Sequence, residues 1–167
     1  MTMKRLNIEI YILNKLLEWK SEFPNAQKMN KLNFIKLTFF LCSINPELLK
    51  LFNFVAMPLG PIDKELLINI ESEKIPQFQK YGMECNEEIV KTEIDNKNKD
   101  MIDQSFEELK KINYNLINYS SYDLVELVHQ WYSWKENYNF AKSNQKYEYP
   151  ISSFEIINEA NKQYMIK

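Results

Sequence analysis

The sequence predicts a mainly α-helical fold: a compact single-domain bundle of about six to seven helices spanning residues 1–167, with a small β-ribbon or irregular insertion around residues 75–95. Three observations predict it. Apolar residues recur at three- and four-residue spacing along most of the chain, the periodicity of a buried helix face. Ser120 with Asp123, and Ser152 with Glu155, have the spacing of an N-terminal capping box ahead of an apolar run. Only between Glu71 and Lys99 does that period give way to partial alternation and polar turn residues.

Residues 5 to 20 predict an amphipathic helix, with Leu6, Ile10, Leu13 and Leu17 on one stripe and Ile8, Ile12 and Leu16 widening it. Phe23-Pro24-Asn25 ends it, because proline disfavours helical geometry in the residue before it. A second helix runs from about Gln27 to Ser43. Leu32, Phe34, Ile35, Leu37, Phe39, Phe40 and Leu41 make it very apolar, and Lys28, Lys31 and Lys36 leave a narrow solvated strip. Pro46 starts a short third helix to Phe52, since its missing amide costs nothing in a first turn.

Phe54 to Ile62 is an irregular apolar segment holding Gly60, one of two glycines. Gly60 marks a turn, and Pro61 opens the next helix with Asp63 and Glu65 in its first turn, where the helix dipole favours negative charge. The stretches 75–82 and 88–94 show the alternation of a two-stranded ribbon, although Pro76 confines the first to an edge. Asp95 to Asp100 reads as an exposed polar turn, followed by a helix to Ile112. Ser120 then starts a short helix with Leu124, Leu127, Val128 and Trp131 inward. Lys135 to Tyr149 has no clean period, and a last helix runs from Ser152 to about Met165.

The balance of 21 basic and 23 acidic residues leaves a net charge of −2, with a single arginine. Neither favours a nucleic-acid partner held through phosphates. Cys42 and Cys85 have no metal-ligand or disulfide-framework spacing, which implies a reducing compartment. The N-terminus carries charges in its first apolar run and lacks a small-residue cleavage site, so no signal peptide is expected. No uncharged apolar stretch is long enough to span a bilayer. The expected location is cytoplasmic.

His129 is the only histidine. Catalysis would require an orienting carboxylate and a nucleophile in space, and metal binding would require further ligands. A structural role is the favoured reading; no catalytic, cofactor or metal residue is assigned. The aromatic stretch Trp131, Tyr132, Trp134, Tyr138 and onward to Tyr149 is the candidate partner-binding region, since Tyr and Trp supply large contact areas at low entropic cost; an equally weighted alternative is that these residues cap the edges of the core with their hydroxyls in water.

Three stretches together resemble the SocA-like Panacea domain family, over roughly residues 27 to 140. Asn30-Lys-Leu-Asn-Phe-Ile-Lys-Leu-Thr-Phe-Phe40 is similar to its opening helix, carrying Leu32, Lys36 and Leu37. Ala56-Met-Pro-Leu-Gly-Pro-Ile62 is similar to its Ala-Trp-x-Tyr-Gly-Pro-Val signature, carrying Gly60 and Pro61, with Met57 in the Trp position. Ser121 to Gln130 followed by Trp134 is similar to its third motif, carrying Asp123, Leu124, Leu127 and His129. The resemblance implies a helical domain with a minor β element that acts as an antitoxin. Its partner would be a cognate toxin encoded by a neighbouring gene, occluded by direct binding or delivered to a protease. The alternatives are a phage or prophage factor that binds a host protein and, from another class, a small enzyme using His129 with Glu126 or a remote acid.

Overall fold

The computed structural model describes residues 2–144 and 149–165, except the side chains of 2, 3, 132, 133 and 163–165. Eight α-helices lie among them: α1 (Thr2–Lys20), α2 (Lys31–Ser43), α3 (Pro46–Leu49), α4 (Lys64–Glu71), α5 (Asn96–Ile112), α6 (Ser121–His129), α7 (Tyr132–Ser143) and α8 (Ser153–Met165). A single 3-10 turn, Tyr114–Asn118, joins α5 to α6. Three short strands, β1 (Phe54–Met57), β2 (Gly60–Asp63) and β3 (Tyr149–Pro150), form an antiparallel sheet in the order β2-β1-β3. The mainly helical architecture with a small β element is the one the periodicity predicts.

Helix α2 is the axis of the core. Every residue from Asn33 to Ser43 is buried, as an all-round apolar helix must be. Its start is fixed by Asn30, whose side chain accepts the Asn33 amide at 2.8 Å. The helix therefore begins four residues later than the apolar pattern suggests. Residues 27–29 lie outside any helix, Asn30 is extended, and the Met29 carbonyl accepts the Cys85 amide at 2.9 Å. The solvated lysine strip is contradicted: Lys31 is 5% exposed and Lys36 is wholly buried.

The β element lies elsewhere than expected. Phe54 to Asp63 is a hairpin, pairing Phe54 with Asp63 and Met57 with Gly60. Pro61 sits in β2 and does not open α4. The cap of that helix is Asp63, whose carboxylate accepts the Leu66 amide at 2.9 Å. Proline is tolerated here because β2 is an edge strand, where a missing donor breaks no second ladder. Residues 75–95 form the irregular insertion and not the ribbon of the two expected forms, with only the isolated bridges Phe78–Cys85 and Asn30–Glu84. At Val90 the backbone is satisfied from α1. The buried Asn14 donates to the Val90 carbonyl at 2.6 Å and accepts the Val90 amide at 3.1 Å. One side-chain amide thus does the work of a strand partner.

Two further segments are more helical than their composition suggests. Asp95 caps α5 through the Asn98 amide at 2.8 Å, so the polar run 96–100 is a first helical turn. Residues 132–143 form α7. The helix starting at Ser120 accordingly stops at His129, and Trp131 stands between α6 and α7.

The single arginine ties the helices to the hairpin. Arg5 is nearly buried, pairs with Glu9 at 2.7 Å and with Asp63, and lies 4.0 Å above the Phe52 ring. Asp63 in turn accepts the Asn53 amide at 2.7 Å, closing the base of the hairpin. Burial pushes the Glu9 carboxyl up to about 6 despite the Asn69 and Arg5 contacts that oppose it. Removing one partner of such a network leaves uncompensated buried charge. Arg5→Met is expected to cost about 3–5 kcal/mol in urea unfolding, far more than a surface Lys50→Met change. A loss below about 1 kcal/mol would show that the network is not holding the hairpin.

Candidate functional site

The three motif stretches meet at the hairpin. Helices α2 and α6 run side by side in the same direction, and their seam changes character along its length. At the N-terminal end it is polar. Asn30 donates to the Ser121 hydroxyl at 2.8 Å, that hydroxyl donates to Asn33 at 2.5 Å, and Asn33 donates to the Tyr119 carbonyl at 3.2 Å. The expected cap is present, with the Asp123 amide donating to Ser120 Oγ at 3.1 Å. At the other end the seam is aromatic, with Trp131 set edge-on to Phe39 and Phe40 at ring distances of 5.2 and 5.7 Å.

Between these ends the hairpin presses against the seam at Gly60. Its φ of +110° belongs to a region that side-chain-bearing residues rarely adopt, and a Cβ there would lie 2.7 Å from Val128 Cγ1 and 3.0 Å from Lys36 Nζ. Both chirality and space therefore require glycine. Lys36 reaches under the strand and donates to the Pro61 carbonyl at 3.2 Å. Burial pulls its amine down to about 7, since desolvation disfavours the charged form.

The turn of the hairpin is held from above. His129 Nε2 lies 3.1 Å from the Pro58 carbonyl, which only accepts, so this nitrogen carries the proton. Trp134 Nε1 donates to the Met57 carbonyl at 2.7 Å. The two rings stack at 4.2 Å and 13°, and Tyr138 extends the stack at 5.1 Å and 9°. Two consecutive carbonyls at the hairpin tip are thus satisfied by side chains from two other elements. Leu59 at that tip is 51% exposed.

Lys36, Gly60, Pro61, His129 and Trp134 converge here, with Val128 between them. Leu37 and Leu124 are core residues, Leu32 and Leu127 are half-buried, and Asp123 is exposed in the first turn of α6. The expected partner-binding set divides differently. Trp131 and Trp134, at 1% and 7% exposure, are spent on internal packing, a correction to their reading as contact anchors. Tyr138 is half-buried, and the Tyr132 side chain lies outside the described residues, as does Tyr147. Among the described side chains, the strongly exposed aromatics are Tyr81, Tyr122 and Phe154. Lys36 is among the motif residues, but its expected place on a solvated strip is wrong, and Leu59 is not singled out by the sequence at all. The signal for Lys36 was present: a lysine in a helix apolar on all sides has no solvated face to occupy.

A separate polar cavity of about 180 Å³ lies between the end of α1 and the start of α6, lined by Lys20, Asn25, Asn33, Tyr119, Ser120 and Asp123 among others. Among the described residues, no three His, Cys, Asp or Glu side chains are grouped as a metal site, and no helix is long and apolar enough to cross a membrane. Comparisons with protein-family models, curated proteins and solved structures find no match.

Two substitutions probe this geometry. Gly60→Ala is expected to destabilise the protein by about 2–4 kcal/mol, combining backbone strain with overpacking against Val128. Trp134→Phe keeps the stack but removes the hydrogen bond to the part-buried Met57 carbonyl, at a cost of about 0.5–1.5 kcal/mol. Both are read from urea-unfolding midpoints; near-wild-type stability for either would place the hairpin differently.

Proposed function

We propose that this chain is a cytoplasmic protein-binding domain of antitoxin type, which neutralises a cognate toxin by binding it directly. The observation that carries the proposal is the convergence of the three Panacea-like stretches on one hairpin tip. Residues far apart in sequence that match a family's motifs are here packed onto each other, through Gly60, Lys36, His129 and Trp134. That arrangement supports reading the resemblance as one shared substructure in place of three chance similarities.

The chemistry of the cluster favours recognition over turnover. His129 spends its Nε2 proton on the Pro58 carbonyl, and its ring is stacked against Trp134. Both contacts fix the loop. A tip whose carbonyls are already satisfied presents Leu59 with little entropy left to lose on binding, which is how preorganisation raises affinity. The exposed Tyr122 on α6 and the half-buried Tyr138 on α7 supply aromatic surface on elements that pack at the same hairpin.

The proposal is tested by co-expression with the product of the neighbouring gene and by titration calorimetry on the purified pair. The expected outcome is a stoichiometric complex, with protection requiring about one antitoxin per toxin. Leu59→Asp should weaken the complex by about tenfold or more, in the range of a moderate hot spot, with unchanged unfolding. Protection at far below one equivalent would indicate catalysis, and the absence of a complex would remove the antitoxin reading.

A further inference from the structure

Lys36 has a property that binding at the hairpin tip does not use. An ammonium carries three donors, yet the Pro61 carbonyl is the only acceptor it meets among the described residues, and no carboxylate pairs with it there. The groups on the adjoining elements are committed elsewhere. On its own helix Lys31 faces Glu71, and the buried Cys42 carries no charge with its thiol pushed up by burial. On β2, Asp63 is held by Arg5. On α6, Asp123 and Glu126 face solvent, and His129 is bonded to Pro58. Lys36 is therefore a buried amine with no counter-charge, beneath a strand that only glycine allows to approach so closely.

From this geometry we infer that the β1–β2 hairpin is a pH-responsive element, sealed on α2 and α6 while the Lys36 amine is neutral and loosened when that amine takes up a proton. Charging it leaves two donors unmet in an apolar site, a cost relieved only by water. The atoms facing Gly60 are Lys36 Nζ, Lys36 Cε and Val128 Cγ1, so water gains access where β2 parts from α6. The amine's midpoint of about 7 places the transition at ordinary pH.

The sign of the linked stability follows. With the folded-state amine near 7 and the ordinary lysine value at 10.5, the unfolded chain holds a proton between those limits that the folded chain gives up. Stability rises with pH across that window, by up to tenfold in the folding constant per pH unit, and is flat below it. In Lys36→Met this slope is lost.

The test is NMR on the full chain from pH 5.5 to 9, following the Lys36 Cε resonance, the Val128 methyls and the Gly60 amide protection factor. In the wild type all three should move together near pH 7, with Gly60 protection at least tenfold lower at the acid end. The step should vanish in Lys36→Met and survive in His129→Gln. A Lys36 Cε that does not titrate below pH 9 in the wild-type protein overturns the inference. So does a Gly60 response that persists in Lys36→Met or disappears in His129→Gln.

Discussion

The missing side chain at Gly60 is the constraint on which the rest of the arrangement depends. With a φ of +110° and no Cβ, this residue lets the β2 backbone settle against Val128 and Lys36. A methyl group at this position would hold the hairpin off the α2–α6 seam. His129 and Trp134 would then no longer reach the Pro58 and Met57 carbonyls, and the stack that continues to Tyr138 would lose its anchor. A single backbone position thereby couples a buried helix, a strand turn and two later helices. The coupling works through close packing, which transmits small displacements because interiors have little slack.

The hairpin is held at its base by a different kind of force. Asp63 caps α4, accepts the Asn53 amide and pairs with Arg5, while Arg5 also reaches Glu9 on its own helix. These are charged groups in a protected setting, costly to break singly. At the tip, by contrast, the contacts are neutral hydrogen bonds and ring stacking. One end of the hairpin is therefore fixed by the global fold, and the other by contacts of lower individual strength. Any motion between the two ends is expected at the tip, the end that exposes Leu59.

Much of the helical framework was legible in the sequence because its signals are local. The Ser120 and Ser152 caps form as their spacing implies, with the Asp123 and Glu155 amides donating at 3.1 Å in each case. The apolar stripes of α1 and α2 lead directly to the core. The errors share a cause, which is that side chains distant in sequence decided the outcome. Residues 75–95 alternate like a ribbon, yet the Val90 backbone is satisfied by the Asn14 side chain from α1 and not by a strand partner. Phe54 to Ile62 lacks strand-length alternation and carries two prolines, yet pairs as a hairpin because Asp63 and Arg5 close its base. Trp131 and Trp134 carried the composition of an interface but fill internal space beside Phe39, Phe40 and the hairpin tip. The candidate site was visible as a set of motif residues, and their mutual contacts could be known only in three dimensions.

The central claim is that Gly60 and Val128 meet, and that this contact brings the motif stretches together. A double-mutant cycle of Gly60→Ala and Val128→Ala in urea tests it most directly. Shortening Val128 removes the γ-methyl that the new Cβ would strike, while the positive φ still strains alanine. The cost of Gly60→Ala should therefore fall by on the order of 1–2 kcal/mol in the Val128→Ala background without vanishing, since residues in contact are not additive. Additive costs, within about 0.3–0.5 kcal/mol, would mean the two residues do not touch, and the hairpin would not be the meeting point of the three stretches.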